Sequence, residues 1–153
     1  MISGVRAGRE LVDEQCRHLG VRSGGWGTNL VGPRFDGDHL LRAAVARDQI
    51  YVTVPEEGIY PLARTDSDGV SLDGRRSYRI HFPAGSLPPV AAFWSITLYD
   101  DDGFLVAEAD GRHAVGDRTP GFVRSDGTAT LGVGPTAPPD TTAWLPAPAG
   151  RST

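Results

Sequence analysis

Residues 87–106 read LPPVAAFWSITLYDDDGFLV. The stretch predicts an approach turn, a strand, a tight acidic turn and a returning strand. Phe93 to Tyr99 is rich in aromatic and β-branched residues, which suit a pleated, half-buried surface. Strand alternation places Trp94, Ile96 and Leu98 on one side and Phe93, Ser95, Thr97 and Tyr99 on the other. The first side is wholly apolar and is expected to face a core. Asp102-Gly103 is a hairpin-turn signal, because glycine takes positive φ without steric cost. The expected register sets Tyr99 opposite Phe104 and Leu98 opposite Leu105.

The 153-residue chain is long enough for one domain with a sizeable core. Its formal net charge is −4, and all 15 basic side chains are arginines. They are scattered among aspartates and form no basic stripe, which argues against nucleic acid as a partner. The single cysteine, Cys16, allows no intrachain disulfide and is expected to be a small hydrophobe on a helix. No apolar run reaches membrane-spanning length. MISGVRAGRELVDEQ becomes charged too early for a signal peptide, so a cytoplasmic location and no membrane partner are expected.

Outward from the central hairpin, a helix is predicted over 4–19, capped by Ser3 and stopped by Gly20. Its buried stripe would hold Val5, Leu11, Val12, Cys16 and Leu19. VRSGGWGTNLVGP (21–33) reads as a glycine-rich loop anchored by Trp26. It lacks the lysine and preceding strand of a phosphate loop. A second helix is predicted from His39, capped by Asp36 or Asp38 and running to Thr53 before Pro55. A short strand over 58–65 follows. Tyr78, Ile80 and Phe82 alternate with Arg79 and His81, a half-buried strand. A second hairpin is expected over 122–133 around Asp126-Gly127, with Leu131 and Val133 inward. The tail GPTAPPDTTAWLPAPAGRST is extended, held by Trp144 and Leu145, with loose final residues. Helices first and short antiparallel strands after predict a β-sandwich or jelly-roll body with an α-helical N-terminal arm. The arm would span 1–24 and the sandwich 25–153.

No catalytic constellation stands out. His18, His39, His81 and His113 lack metal-ligand spacing, and no cysteine pair accompanies them. TDSDG and DDDG resemble fragments of calcium loops but lack the remaining ligands, and turn chemistry explains their aspartates better. Ser95 has no nucleophile elbow around it. No metal or cofactor is therefore expected. The amphipathic strand face of Ser95, Thr97 and Tyr99 suits a sugar or a small amphipathic ligand. The blander expectation is that this face packs under the helices or a second sheet. Arg112 has a guanidinium that can fork-bond a carboxylate, with a tie to a turn aspartate as its simpler role. Trp144 completes the candidate ligand-contacting set.

LDG (72–74), the strand 78–82, LPPVAAFWSITLYDDDGFLV, GDR (116–118), DG (126–127) and WLPAPAG (144–150) together resemble the bacterial family domain of unknown function 1214. The likeness extends over about 25–150. It implies a jelly-roll-like β-sandwich, usually preceded by domain of unknown function 1254, and it implies no established activity. Gly111-Arg112-His113 stands where the family commonly has Asn-Arg-Tyr, and Ala143 where it favours Asn. The resemblance implies a further strand past PAPAG and an N-terminal partner domain, and this chain is expected to be without both. Self-association, or cover from the N-terminal helix, is expected to fill the gap. The functional expectation is a non-enzymatic binding or interaction module. A carbohydrate-active hydrolase and a truncated remnant of a two-domain protein are the alternatives.

Overall fold

The computed structural model describes residues 2–49, 52–100, 102–106 and 111–147. Among the described residues the chain is mainly β with two helices, and its sheets are small and open. It divides into two compact units, Met1–Val70 and Ser71–Thr153.

The first unit holds both helices. Helix α1 spans Ile2–Arg17, so Ser3 lies inside the helix and does not cap it. The predicted stripe is only half used. Leu19 is buried, but Val5 and Leu11 stand 72% and 58% exposed. Residues 21–33 are not simply a loop. Strands β1 (Val21–Ser23) and β2 (Trp26–Thr28) form a hairpin turned by Gly24-Gly25. Both glycines have positive φ, 54° and 87°, as a two-residue turn matching strand twist requires. Helix α2 spans His39–Asp48. Asp38 caps it as expected, its carboxylate accepting from the Leu41 N–H at 2.8 Å. The helix stops five residues before the predicted end. Gln49 takes a non-helical conformation while its N–H still donates to the Val45 carbonyl. Residues 50 and 51 of the predicted extension lie outside the described residues. Ala44 and Val45 are its buried positions. The strand predicted over 58–65 shrinks to β3 (Leu62–Ala63), which pairs with β2.

The second unit carries the cluster that the central stretch foretold. Strand β4 (Tyr78–Phe82) pairs antiparallel with β7 (Ala129–Gly134). Strand β5 (Ser95–Thr97) pairs antiparallel with β6 (Ala114–Gly116). The expectation of uniformly antiparallel strands fails at β8 (Trp144–Pro146), which lies parallel to β7. The intervening proline-rich segment carries the chain back before β8 begins. Val115, Phe122, Ala129, Leu131 and Leu145 form the buried center, with Ile80, Phe82, Trp94, Ile96 and Leu98 packed against it. Trp94 lies between Phe82 and Phe122, at centroid distances of 5.0 and 5.7 Å, within the range of favorable tilted aromatic pairs. The second hairpin forms around Asp126-Gly127, with Val123 opposite Ala129. Leu131 is fully buried, whereas Val133 is only partly so. Residues 148–153, including the end of the predicted tail, lie outside the described residues.

The register of the central hairpin differs from expectation by one residue. Tyr99 faces Leu105, not Phe104. The turn consumes five residues: the Asp100 N–H donates to the Phe104 carbonyl at 2.9 Å. Gly103, at φ 82°, supplies the left-handed step that closes it. A one-residue slip exchanges strand faces. Leu105 consequently stands 47% exposed beside Tyr99, and Val106 is buried instead, at 5%.

Candidate interaction surface

The alternation of β5 and its flanks sets Trp94, Ile96 and Leu98 against the core. It turns Phe93, Ser95 and Tyr99 outward and exposed, with Thr97 half-buried among them. The blander expectation of a second sheet packed over this face is not met within the second unit, where Phe93, Ser95 and Tyr99 are exposed. Small residues widen the platform: Ala114 lies opposite Thr97, and Gly116 opposite Ser95. At one end, the Arg118 guanidinium stacks 4.9 Å from the Phe93 ring center and donates to the Ala92 carbonyl at 3.5 Å. At the other end stands the acidic turn. Asp100 Oδ1 accepts from the Asp102 and Phe104 N–H groups at 3.0 and 2.8 Å.

Strand β5 also has an open edge. Its sheet has two strands, with β6 on one side. The Leu98 N–H donates to the His113 carbonyl at 3.1 Å, the Asp117 N–H donates to the Trp94 carbonyl at 3.2 Å, and the Asp100 N–H turns the same way. Backbone direction alternates along a strand, so even-numbered groups face β6 and its hairpin neighbor. The N–H and C=O groups of Ser95 and Thr97 face the other edge, where no strand pairs among the described residues. An unpaired edge is a template for another chain.

The other two predicted contact residues belong to the framework around β8. Arg112 donates to the Thr141 carbonyl, which braces the segment ahead of the strand. Trp144 is half-buried and lies opposite Gly132, where a Cβ built on the glycine would stand in ordinary van der Waals contact with the indole edge. His113 Nδ1 lies 2.6 Å from the Val106 carbonyl. A carbonyl can only accept, so Nδ1 carries the proton and the ring serves the structure. His81 Nδ1 meets Thr130 Oγ1 at 2.8 Å across β4 and β7.

The first unit contains a small recess whose lining includes Cys16, Leu19, Asp48, Gln49, Leu62 and Arg64. Asp48 and Arg64 form a two-point ion pair at 2.5 and 3.2 Å, which holds the guanidinium strongly protonated. Gln49 Oε1 is buried with no hydrogen-bond partner among the described residues. The recess has about 20 Å³ of room, space for roughly one water and far too little for an organic substrate. Burial, and then the Asp48 charge, push the Cys16 thiol pKa above its ordinary value. A thiol so placed is a poor nucleophile. Among the described residues, no group of three or more His, Cys, Asp or Glu side chains is arranged to hold a metal ion. No helix among them is long and apolar enough to cross a membrane.

Sequence reading assigned no contact role to Arg118, Asp48 or Arg64. Arg118 reaches Phe93 from a position 25 residues later in the chain, and no local spacing announces that meeting.

Comparison with known proteins adds two findings. Residues 57–153 match the family model described as "Protein of unknown function (DUF1214)". The fold is similar to that of the VPA0106 protein from Vibrio parahaemolyticus, with a TM-score of 0.58 and 24% sequence identity. The similarity covers 97% of this chain but 37% of that one, so the chain spans little more than a third of that protein's length. No curated protein matches.

Proposed function

Starting from a chain that belongs to the DUF1214 family of proteins of unknown function, we propose that it is a non-enzymatic interaction module. It engages its partner through the outer face and open edge of β5. We read its small sheets as strands of a jelly-roll-like sandwich, the architecture in which such an edge normally finds cover. The observation that carries the reading is the exposure of Phe93 and Tyr99, 57% and 41%, flanking the hydroxyls of Ser95 and Thr97 on a strand with a free edge. Two large rings on one exposed sheet face suit a partner surface better than bulk water. The Asp100 carboxylate of the neighboring turn is occupied in turn geometry. Arg112 and Trp144 support the module by holding the β8 segment in place.

The test is a thermal-shift panel of oligosaccharides, small carboxylic acids and extended peptides, run at several protein concentrations. Turnover of nitrophenyl glycosides is assayed in parallel. A rise in melting temperature with a panel member or with protein concentration, lost in Tyr99→Ser, upholds the reading. Glycoside turnover, or a melting temperature indifferent to every addition and to concentration, overturns it.

A further inference from the structure

The residues on the open edge read Phe93-Trp94-Ser95-Ile96-Thr97-Leu98-Tyr99. By chemical class this order is the same in both directions: aromatic, large apolar, hydroxyl, isoleucine, hydroxyl, large apolar, aromatic. A segment with that symmetry is complementary to a second copy of itself run antiparallel. We propose that two copies of this chain pair edge to edge along β5, about a two-fold axis through Ile96. The proposal rests on the reading of β5 as the interaction surface and names its occupant.

The register follows from the backbone. Ser95 of one copy lies opposite Thr97 of the other, and Phe93 opposite Tyr99. Both Ser95 and Thr97 turn their N–H and C=O groups to the open edge, because the even-numbered groups are committed to β6 and the hairpin return. Opposed residues that both face the partner exchange two hydrogen bonds in an antiparallel ladder. The pairing therefore satisfies Ser95 and Thr97 in each copy without disturbing the existing sheet. On the outer face it sets each exposed ring of one copy beside an exposed ring of the other and brings the hydroxyls together, pairs that stabilize sheets. A two-fold operator makes the contact isologous and closed.

Charge agrees with this register. Arg118 is anchored at the Ala92–Phe93 end of the strand. The turn holding Asp100 and Asp102 lies at the Tyr99 end. Antiparallel pairing brings the Arg118 end of each copy to the acidic turn of the other, twice by symmetry. A parallel arrangement would set acidic turn against acidic turn, which like-charge repulsion disfavors.

Light scattering across a concentration series should show the mass rising toward twice 16.3 kDa. Thr97→Pro removes only a donor that faces the open edge and should leave a folded monomer. Arg118→Asp should raise the dimer dissociation constant about tenfold, for two lost exposed pairs, and adding Asp102→Arg should restore it. Register is read by cross-linking in a Cys16→Ala background. Directly opposed residues have Cα atoms about 5.5 Å apart and can form a disulfide. An oxidized equimolar mixture of Ser95→Cys and Thr97→Cys chains should give the mixed dimer, whereas each variant alone, with its thiols on a longer diagonal, should not. A monomer at every concentration overturns the proposal, as does equal cross-linking in the single variants. If the chain stays monomeric while a peptide or sugar still raises the melting temperature through Tyr99, self-pairing falls and the interaction module stands.

Discussion

Gly116 lies so close beneath Trp94 that a Cβ built on it would overlap the Trp94 carbonyl oxygen and stand 2.9 Å from the Ser95 Cα. The approach lets the Asp117 N–H reach the Trp94 carbonyl at 3.2 Å and extends the β5–β6 ladder past its last paired residues. It also fixes the backbone of Trp94, whose ring is wedged between Phe82 and Phe122. Backbone atoms cannot yield as a flexible side chain can. Gly116→Ala should destabilize the second unit by about 2 kcal/mol or more, read from the urea midpoint. Gly85→Ala has open space around the added carbon but needs positive φ (76°). Its cost should be the smaller strain of a left-handed alanine, roughly 1 kcal/mol.

The register around the acidic turn is tested by two adjacent substitutions. Leu105 stands beside Tyr99 on the open face, and Val106 is buried. Leu105→Asp should change folding stability within about 0.5 kcal/mol, as surface substitutions do. Val106→Asp would bury a carboxyl group with no compensating partner and should cost several kcal/mol, on the order of 3. Chemical denaturation of the two variants decides between the observed register and the one expected from Asp102-Gly103 alone, which makes the opposite forecast.

That turn explains how far the sequence could be read. Asp66–Val70, Asp100–Phe104 and Arg124–Thr128 share one design. The first N–H donates to the fifth carbonyl, the fourth N–H returns to the first carbonyl, and the fourth residue is a glycine. Those glycines have φ of 79°, 82° and 79°. The Asp-Gly pair announced each turn, but a two-residue hairpin and this longer turn with an added left-handed step share that signature. Position was legible and register was not. The alternation of β4 and β5 was legible because polar and apolar residues have opposite preferences for water. The end of α2 was not, because Gln49 closes it by backbone conformation and no proline or glycine marks the place. The Gly24-Gly25 pair is itself a hairpin signal, and the glycine-rich loop expected over 21–33 hides it. The parallel pairing of β8, the meeting of Arg118 with Phe93 and the exposure of the Tyr99 face depend on residues distant in sequence.

Asp126 gives the second hairpin a pH dependence. Its carboxylate accepts from the Thr128 N–H at 2.9 Å and from the Thr128 hydroxyl at 2.7 Å. These bonds, the backbone one foremost, hold its pKa below the ordinary aspartate value. A group depressed in the folded state contributes stability above its unfolded pKa and loses it as pH falls through the folded one. The contribution should be intact at neutral pH and fade below about pH 4. Asp126→Ala should lower the melting temperature at pH 7, and the gap to wild type should narrow on acidification toward pH 2. A gap that stays constant would show that the charge is irrelevant to the turn.

Cys16 should label slowly for its partial exposure. Its thiol lies against the Ala44 carbonyl at 3.6 Å. Burial is the larger cause of its raised pKa and the Asp48 charge the next, while Arg64 pulls the other way. Thiolate is the reacting species, so a raised pKa lowers the reactive fraction at neutral pH. Iodoacetamide at pH 7.5 should modify Cys16 in the folded chain at least severalfold more slowly than in urea. Raising the pH to 9.5 should speed the folded reaction by more than it speeds the unfolded one, because the unfolded thiol, titrating near 8.5, is then mostly ionized already. Asp48→Asn removes a negative charge that opposes thiolate, but it also weakens the tie to Arg64. Faster labeling in that variant therefore counts as electrostatic only if amide exchange in α2 is unchanged. If the wild-type thiol labels at the unfolded rate, the recess is open enough for reagent and solvent to enter freely. The small-recess geometry would then be wrong.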